Sequence, residues 1–525
     1  MMADNVKGGM GWAVAAGVLM GGVADPCEAG VAGAGGPART GEVVRYAAFG
    51  AKGDGMADDF DAIVAAHEHA NRTGLPVRAE DGATYLIGGG ARTAEIRTDT
   101  DFGTASFRID DTRVAPGDRG RSIFCVRSAQ PAFRPEGVGP LKRGQANLGV
   151  RLPSRSVVVL GDANVRHFIR RGLNKNNGDA KLDVVLVEAD GAIDPATPLF
   201  WDFDAVTDVR AYPVDDKPLT VRGGRFTTVA NQAKSDYTYY GRGIQVERSN
   251  VLIEGIEHRI VGEGEHGAPY RGFLSISRSA FVTIRNAGLS GHKTYTTIGS
   301  AGLPVSMGTY DFNADRSLHV AMIDCRQLND MDDARLWGVM GSNYCKALLL
   351  DGCALSRFDA HKGVCNATIR RSTIRLVNLI GGGRFLMEDS KVTGASLVNL
   401  RSDYGSFWNG DIVIRNSVLA PSGASPQRRL ALIVGFNDGH HDFGYPCGMP
   451  RRIELDNVRI EDLSVAENVA GPALFGDFKI DPAGGPHPYG LPQEVVLKDI
   501  ATASGKLLRI GDAPDAFNAV SVARK

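Results

Sequence analysis

From residue 220 to the end of the chain, one short pattern of apolar and polar positions recurs. A run of the form apolar, any, apolar is followed by one or two polar or small residues, a second short apolar run and a polar corner. It reads VLIEGIEHRI from residue 251, VTIRNAGLSG from 282, VAMIDCRQLN from 320, LLLDGCALSR from 348 and ATIRRSTIRL from 367. It continues as FLMEDSKVTG from 385, IVIRNSVLAP from 412, RIELDNVRIE from 452 and VVLKDIATAS from 495. The central apolar positions are Ile253, Ile284, Ile323, Leu350, Ile369, Met387, Ile414, Leu455 and Leu497, spaced 18 to 42 residues apart. Alternation with period two marks strands. A unit of about 20 to 30 residues that cannot bury its apolar face alone must stack on its neighbours. The pattern therefore predicts an all-β parallel solenoid with loop insertions on one flank.

Upstream, FGAKGDGMADDFDAIVAAHEHANRTG is followed by ATYLIGG. Asp58 is placed to cap a helix whose Phe60, Ile63, Val64 and His67 share one face, and Gly74 stops it. This segment resembles the opening of the pectate-lyase-like right-handed parallel β-helix superfamily, in particular its polygalacturonase-related branch. The resemblance implies that the helix caps the N-terminal end of the solenoid and that the next strand begins the first coil. It implies a fold and not one activity, because hydrolases, lyases, epimerases and phage tailspikes share this opening. The expected divisions are 1–40, a signal-like segment; 41–93, the opening and capping helix; 94–219, an inserted β-rich subdomain; and 220–525, the coils. Within the first of these, GGMGWAVAAGVLMGGVA has the length of a signal's apolar core and is too short and glycine-rich to span a membrane. A secreted or periplasmic protein is expected.

Composition sharpens this picture. With 66 glycines and only 7% aromatic residues among 525, the chain suits many tight corners. A formal net charge of −1 excludes a field that would attract nucleic acid or an anionic membrane, so charged ligands must be met locally. The seven cysteines form no CxxC pair, so neither a zinc site nor a disulfide framework is expected, and most should be buried. Asp330, Asp332 and Asp333 lack the glycine and distal glutamate of a calcium loop, so no metal or cofactor is expected. A homo-oligomer is compatible with such a fold, since β-helices can trimerise through their flanks.

Residues at equal offsets in successive coils stack in space. About ten residues past four successive reference positions come Glu263, Glu265 and His266, then His292, Lys293 and Tyr295, then Asp330, Asp332 and Asp333, then Asp359, His361 and Lys362. Arg335, Arg401, Asp403, Tyr404 and the His440–His441 pair lie further along or beside them. Glycosidic hydrolysis needs one protonated and one ionised carboxyl group. The expected acid/base set is Asp332, Asp333 and Asp359, oriented by His361 and His292, with Lys293, Arg335 and Arg401 gripping the substrate. Tyr295, Asp330, Lys362, Asp403, Tyr404 and His441 complete the expected binding residues, and Trp337 and Tyr310 are candidates to stack on sugar rings. The paired aspartates are similar to one polygalacturonase motif, whose other motifs are missing here. RFDAH is similar to the F-D-P-H core of mannuronan epimerases, which implies catalytic roles for Asp359 and His361. Ser356 and Lys362 depart from that family's tyrosine and second aspartate. Hydrolysis of a polysaccharide is the favoured reading. The alternatives are a lyase or epimerase acting on a uronate, with His361 or Lys293 as base and Arg401 as carboxylate partner, and a non-catalytic adhesive solenoid.

Overall fold

The computed structural model describes residues 42–422, 430–463, 471–478, 485–511, 517–518 and 520–524; the signal-like segment lies outside them. The chain winds into a right-handed parallel β-helix whose strands join in one 31-stranded sheet. Three stacks run along it. The first contains Val251–Glu254, Ala280–Arg285, Leu318–Ile323, Lys346–Asp351, Val364–Arg370 and Gly381–Glu388, each parallel to the next. Past a tight corner, the second contains Glu257–Val261, Gly288–Leu289, Arg326–Gln327, Ala354–Lys362 and Thr373–Leu379. The third contains Ile244–Glu247, Leu274–Ser277, Phe312–Asp315 and Met340–Asn343, and resumes at Val398–Leu400.

The register follows the repeat. Ile253, Ile284, Met322, Leu350, Ile369, Met387, Ile414, Leu455 and Leu497 are partners in successive coils, all buried. The expected Ile323 is replaced by Met322, one residue earlier. The reason lies at the corner: two residues past each reference position the backbone takes a positive φ, between 47° and 66°, at Gly255, Asn286, Asp324, Gly352, Arg371, Asp389, Asn416, Asn457 and Asp499. Only glycine and, less readily, Asn or Asp adopt this conformation cheaply, so Asp324 sets the frame and Met322 points inward. Next to this corner, buried Cys325 and Cys353 occupy the position held by Ser372, Ser390 and Ser417 in later coils. There the serine hydroxyls accept backbone N–H bonds from the preceding coil, at 2.9–3.2 Å. Five of the six described cysteines are buried and none of the six is paired.

The helix Phe60–Thr73 buries Phe60, Ile63, Val64 and His67 against the first coils. Asp58 accepts the Phe60 N–H at 3.1 Å, while Asp59 accepts the Lys52 and Gly53 N–H groups. Thr100–Asp110 and Phe124–Arg127 are already solenoid strands, pairing in parallel with Leu219–Val229 and Ile244–Glu247. Within 94–219, therefore, the antiparallel unit is built on Ser156–His167, Asp179–Val187 and Asp208–Pro213, to which Phe133, Leu141 and Asn147 add isolated antiparallel bridges. The hairpin loop 168–178 of this unit turns back over the third stack, where Phe168 packs with Tyr344, Tyr404 and Tyr445. No described helix is long and apolar enough to cross a membrane.

Candidate functional site

In the coils that carry Glu257–Val261, Gly288–Leu289 and Arg326–Gln327, the step from second to third stack is made by loops. In the next coil the strand Ala354–Lys362 runs through without one. The expected ionisable residues divide into three groups along this corner.

The first group is buried at His292 and exposed at Glu265. His292 and Asp311 are 1% and 0% exposed, and the His292 Nε2 lies 2.9 Å from Asp311 Oδ1. The same oxygen is 2.5 Å from His258 Nδ1. Burial alone would pull the His292 imidazole down, but Asp311 and Glu263 hold it up at about 9. Lys293 reaches Glu265 at 3.3 Å and the Gly264 carbonyl at 2.7 Å, and Tyr295 is buried in the hairpin with Pro304–Met307.

The second group faces solvent. Asp330 is exposed, and Asp333 is gripped by Arg335 at 2.7 Å; that hydrogen bond keeps its carboxyl below the usual range. Asp332 stands 3.8 Å from Arg375 and 3.5 Å from Thr393 Oγ1.

The third group is covered by the inserted loop. Asp359 is 0% exposed, and both its oxygens accept from Arg401 Nη1, at 3.0 and 3.2 Å, with Arg357 3.5 Å away. Arg401 also binds Asp403 at 2.8 Å, and Asp403 binds Arg170 of the insert at 2.6 Å. His361 pairs with Asn343 at 2.7 Å and lies beside Tyr404, while Lys362 pairs with Asp179 at 2.8 Å. His441 bonds the Ile169 carbonyl at 3.1 Å and lines a cavity of about 410 Å³ with Asn437, Tyr445 and His487. Among the described residues, no hydrogen bond or ion pair joins Asp359 to Asp332 or Asp333; the three expected acid/base residues have separate partners.

Between the second and third groups lies a buried polar cluster that the coil pattern did not single out, with Trp337 5%, Arg357 7% and Asn378 0% exposed. At its centre is Trp337, over which the Arg357 guanidinium stacks at 4.3 Å, with Tyr310 set edge-on at 6.4 Å between ring centroids. Arg357 Nε and Nη1, Ser356 Oγ, Asn378 Nδ2 and Trp337 Nε1 are all buried without a hydrogen-bond partner. Asn378 follows Asp359 in register, one coil on. Burial lowers the Arg357 guanidinium more than Asp359, shared with Arg401, and Tyr310 raise it. Arg357 was legible in SRFDAH as the residue two before Asp359, on the same side of the strand; Trp337 was named only as an aromatic. His258 and Asp311 carried no signal, because their offsets from the reference positions differ.

These features define a parallel β-helix with a polar corner partly roofed by an inserted antiparallel unit. The chain is similar to the tailspike protein gp49 from Pseudomonas phage LKA1, at 14% identity over 87% of this chain and 81% of that one, with a TM-score of 0.50. It is similar also to the Pseudomonas phage phi297 tailspike gp61, at 12% identity over 92% and 84% of the two chains and a TM-score of 0.50. A further likeness is to the gp54 tailspike of Acinetobacter baumannii bacteriophage AP22 in complex with capsular saccharide, at 9% identity over 90% and 77% with a TM-score of 0.46. No family model and no curated protein matches the chain. At such identities the likeness concerns the fold alone, which the two tailspikes with a TM-score of 0.50 share with this chain.

Proposed function

We propose that the protein is a carbohydrate-active β-helix protein that binds an extracellular or cell-surface polysaccharide across the corner of residues 290–405 and hydrolyses its glycosidic bonds. The observation that carries this reading is the buried polar cluster around Trp337. Buried polar groups in native proteins almost always have partners, and here five donor atoms on Ser356, Arg357, Asn378 and Trp337 lack one. A ligand rich in hydroxyl groups that reached this cluster would supply acceptors for them. Asp332 and Asp333, on the solvent side of the cluster, are the carboxylates within reach of a bound chain in this reading, Asp333 held ionised by Arg335. Asp359 is a positioning residue that holds Arg357 and Arg401 in place. The fold shared with phage tailspikes is compatible with a saccharide partner.

One observation favours elimination from a uronate as the second reading: Arg357 shares the Asp359 carboxylate with Arg401, at 3.5 Å from its Nη1, and its Nε has no hydrogen-bond partner and is placed to neutralise a sugar carboxylate. A panel of neutral and acidic polysaccharides, read by reducing ends and by ultraviolet absorbance, tests both. New reducing ends without absorbance support hydrolysis. Absorbance from an unsaturated product assigns elimination instead. Binding that Arg357→Met weakens, with no product of either kind, reduces the protein to an adhesive solenoid; absence of binding overturns the saccharide reading.

A further inference from the structure

The buried group at His258, His292 and Asp311 is not used by the saccharide reading and does not depend on it. The three residues come from two successive coils, His292 and Asp311 from the two ends of one loop, are 1%, 1% and 0% exposed, and present ligand atoms within 4.8 Å of one another. Asp311 Oδ1 takes both imidazoles, His258 through Nδ1 at 2.5 Å and His292 through Nε2 at 2.9 Å. Its second oxygen accepts the Ser290 N–H at 2.7 Å. The far nitrogen of each ring is also provided for: His258 Nε2 meets Thr228 Oγ1 at 2.9 Å, and His292 Nδ1 faces Glu263 Oε1 at 3.6 Å. Phe273 stacks flat on His258, with 3.9 Å between ring centroids, and fixes its plane.

We infer that His258 Nδ1, His292 Nε2 and Asp311 Oδ1 form a binding site for a divalent transition-metal ion of the zinc type. Two imidazoles and a carboxylate are a donor set that zinc takes with a further ligand. Metal-bound histidines characteristically hydrogen-bond a carboxylate or other oxygen through the opposite nitrogen, as Glu263 and Thr228 are placed to allow. A second observation points the same way. His292 Nδ1 and Glu263 Oε1 are both buried and lack hydrogen-bond partners, although they face each other. A metal on Nε2 leaves Nδ1 as the N–H donor, and a small closure of this gap makes that bond. Two carboxylates here surround two imidazoles away from water, so the site demands positive charge. The ion would tie three coils together at the root of the loop 290–311, through Thr228, His258, and the pair His292 and Asp311.

The test uses the whole chain, stripped with a chelator and dialysed against Co²⁺. One Co²⁺ per chain, with the visible bands of a low-coordinate site that Zn²⁺ bleaches on competition, is the expected result. Asp311→Asn abolishes the bands, and Glu263→Gln, in a partly exposed residue that folding tolerates, weakens Co²⁺ binding about tenfold or more. His440→Ala, at an exposed histidine elsewhere, leaves binding unchanged. Wild-type protein that takes up no Co²⁺ overturns the inference whatever the variants do, as does uptake that Glu263→Gln and Asp311→Asn leave unaltered. Polysaccharide binding is scored separately, so failure here leaves the saccharide reading standing.

Discussion

Replacing Asp359 by asparagine separates a counter-ion from a catalytic acid. In the buried network three guanidinium groups, Arg170, Arg357 and Arg401, face two carboxylates, Asp359 and Asp403. Asp359→Asn leaves the three facing one, with almost no access to water, since the Arg170 and Arg401 side chains are each 2% exposed. Breaking a buried pair by removing one partner costs roughly 3–5 kcal/mol, because the remaining charge is left desolvated. Adding Arg357→Met removes the cation that has lost its carboxylate, so two guanidinium groups face one carboxylate and about half the loss or more is recovered. Urea unfolding of the wild type, the single and the double variant, followed by far-ultraviolet circular dichroism, measures the three stabilities. An Asp359→Asn protein within about 0.5 kcal/mol of wild type refutes the counter-ion role, since only substitutions away from such features are that mild. A loss that Arg357→Met leaves undiminished refutes it equally.

Asp332→Asn is the contrasting perturbation: its partners are a 3.8 Å ion pair and a 3.5 Å hydroxyl at a solvent edge, so stability changes by less than about 0.5 kcal/mol while turnover of the cleaved polysaccharide falls at least a hundredfold. At the corner, Asn416→Ala loses a residue suited to positive φ and its link to Asp389 at 3.1 Å. It destabilises by about 1–2 kcal/mol, while Asn416→Gly loses less; equal losses in thermal or urea unfolding would discount the backbone account. His67 is wholly buried, and burial pulls its imidazole down to about 3. Its folded-state pKa lies below the unfolded one, so the stability it contributes is present above about pH 6.5 and lost as pH falls toward the folded value. By pH 5 the loss is about 2 kcal/mol. His67→Gln therefore flattens the acid side of the stability profile, and a profile as steep as wild type's would show that other groups carry it.

The coils were legible because their signal is local and repeated. The apolar reference position and the Gly, Asn or Asp two residues later belong to the same short segment, and every coil but that of Ile369, which has Arg371 at the corner, states them again. At VAMIDC, where two apolar residues compete for the reference position, the corner residue Asp324 decides, and it puts Met322 inward instead of Ile323. The helix Phe60–Thr73 was legible for the same reason, since its apolar face and its Gly74 stop lie within one segment.

The site was legible only as far as offset counting reaches. Counting assumes that equal offsets meet, which holds while chains pass the corner on similar paths. It finds Glu263 beside His292 and Lys293, where two looped coils follow each other. It fails between the NDMDD loop and Asp359, because the strand Ala354–Lys362 passes the corner without a loop. Nor can it see a roof. His361 and Lys362 are enclosed by Asp179, Tyr344, Tyr404 and Phe168. Two of these, Phe168 and Asp179, come from the inserted unit, nearly two hundred residues upstream, and no periodicity connects them to the coil. That roof reverses the expected division of labour. The residues that looked most reactive in the sequence, Asp359 and His361, are fixed in an internal network, and access to solvent is left to Asp332, Asp333, Arg335 and Arg375. Chemistry on a long polymer needs groups that the polymer can reach, so mutagenesis for function belongs at Asp332 and Asp333, and mutagenesis for stability at Asp359.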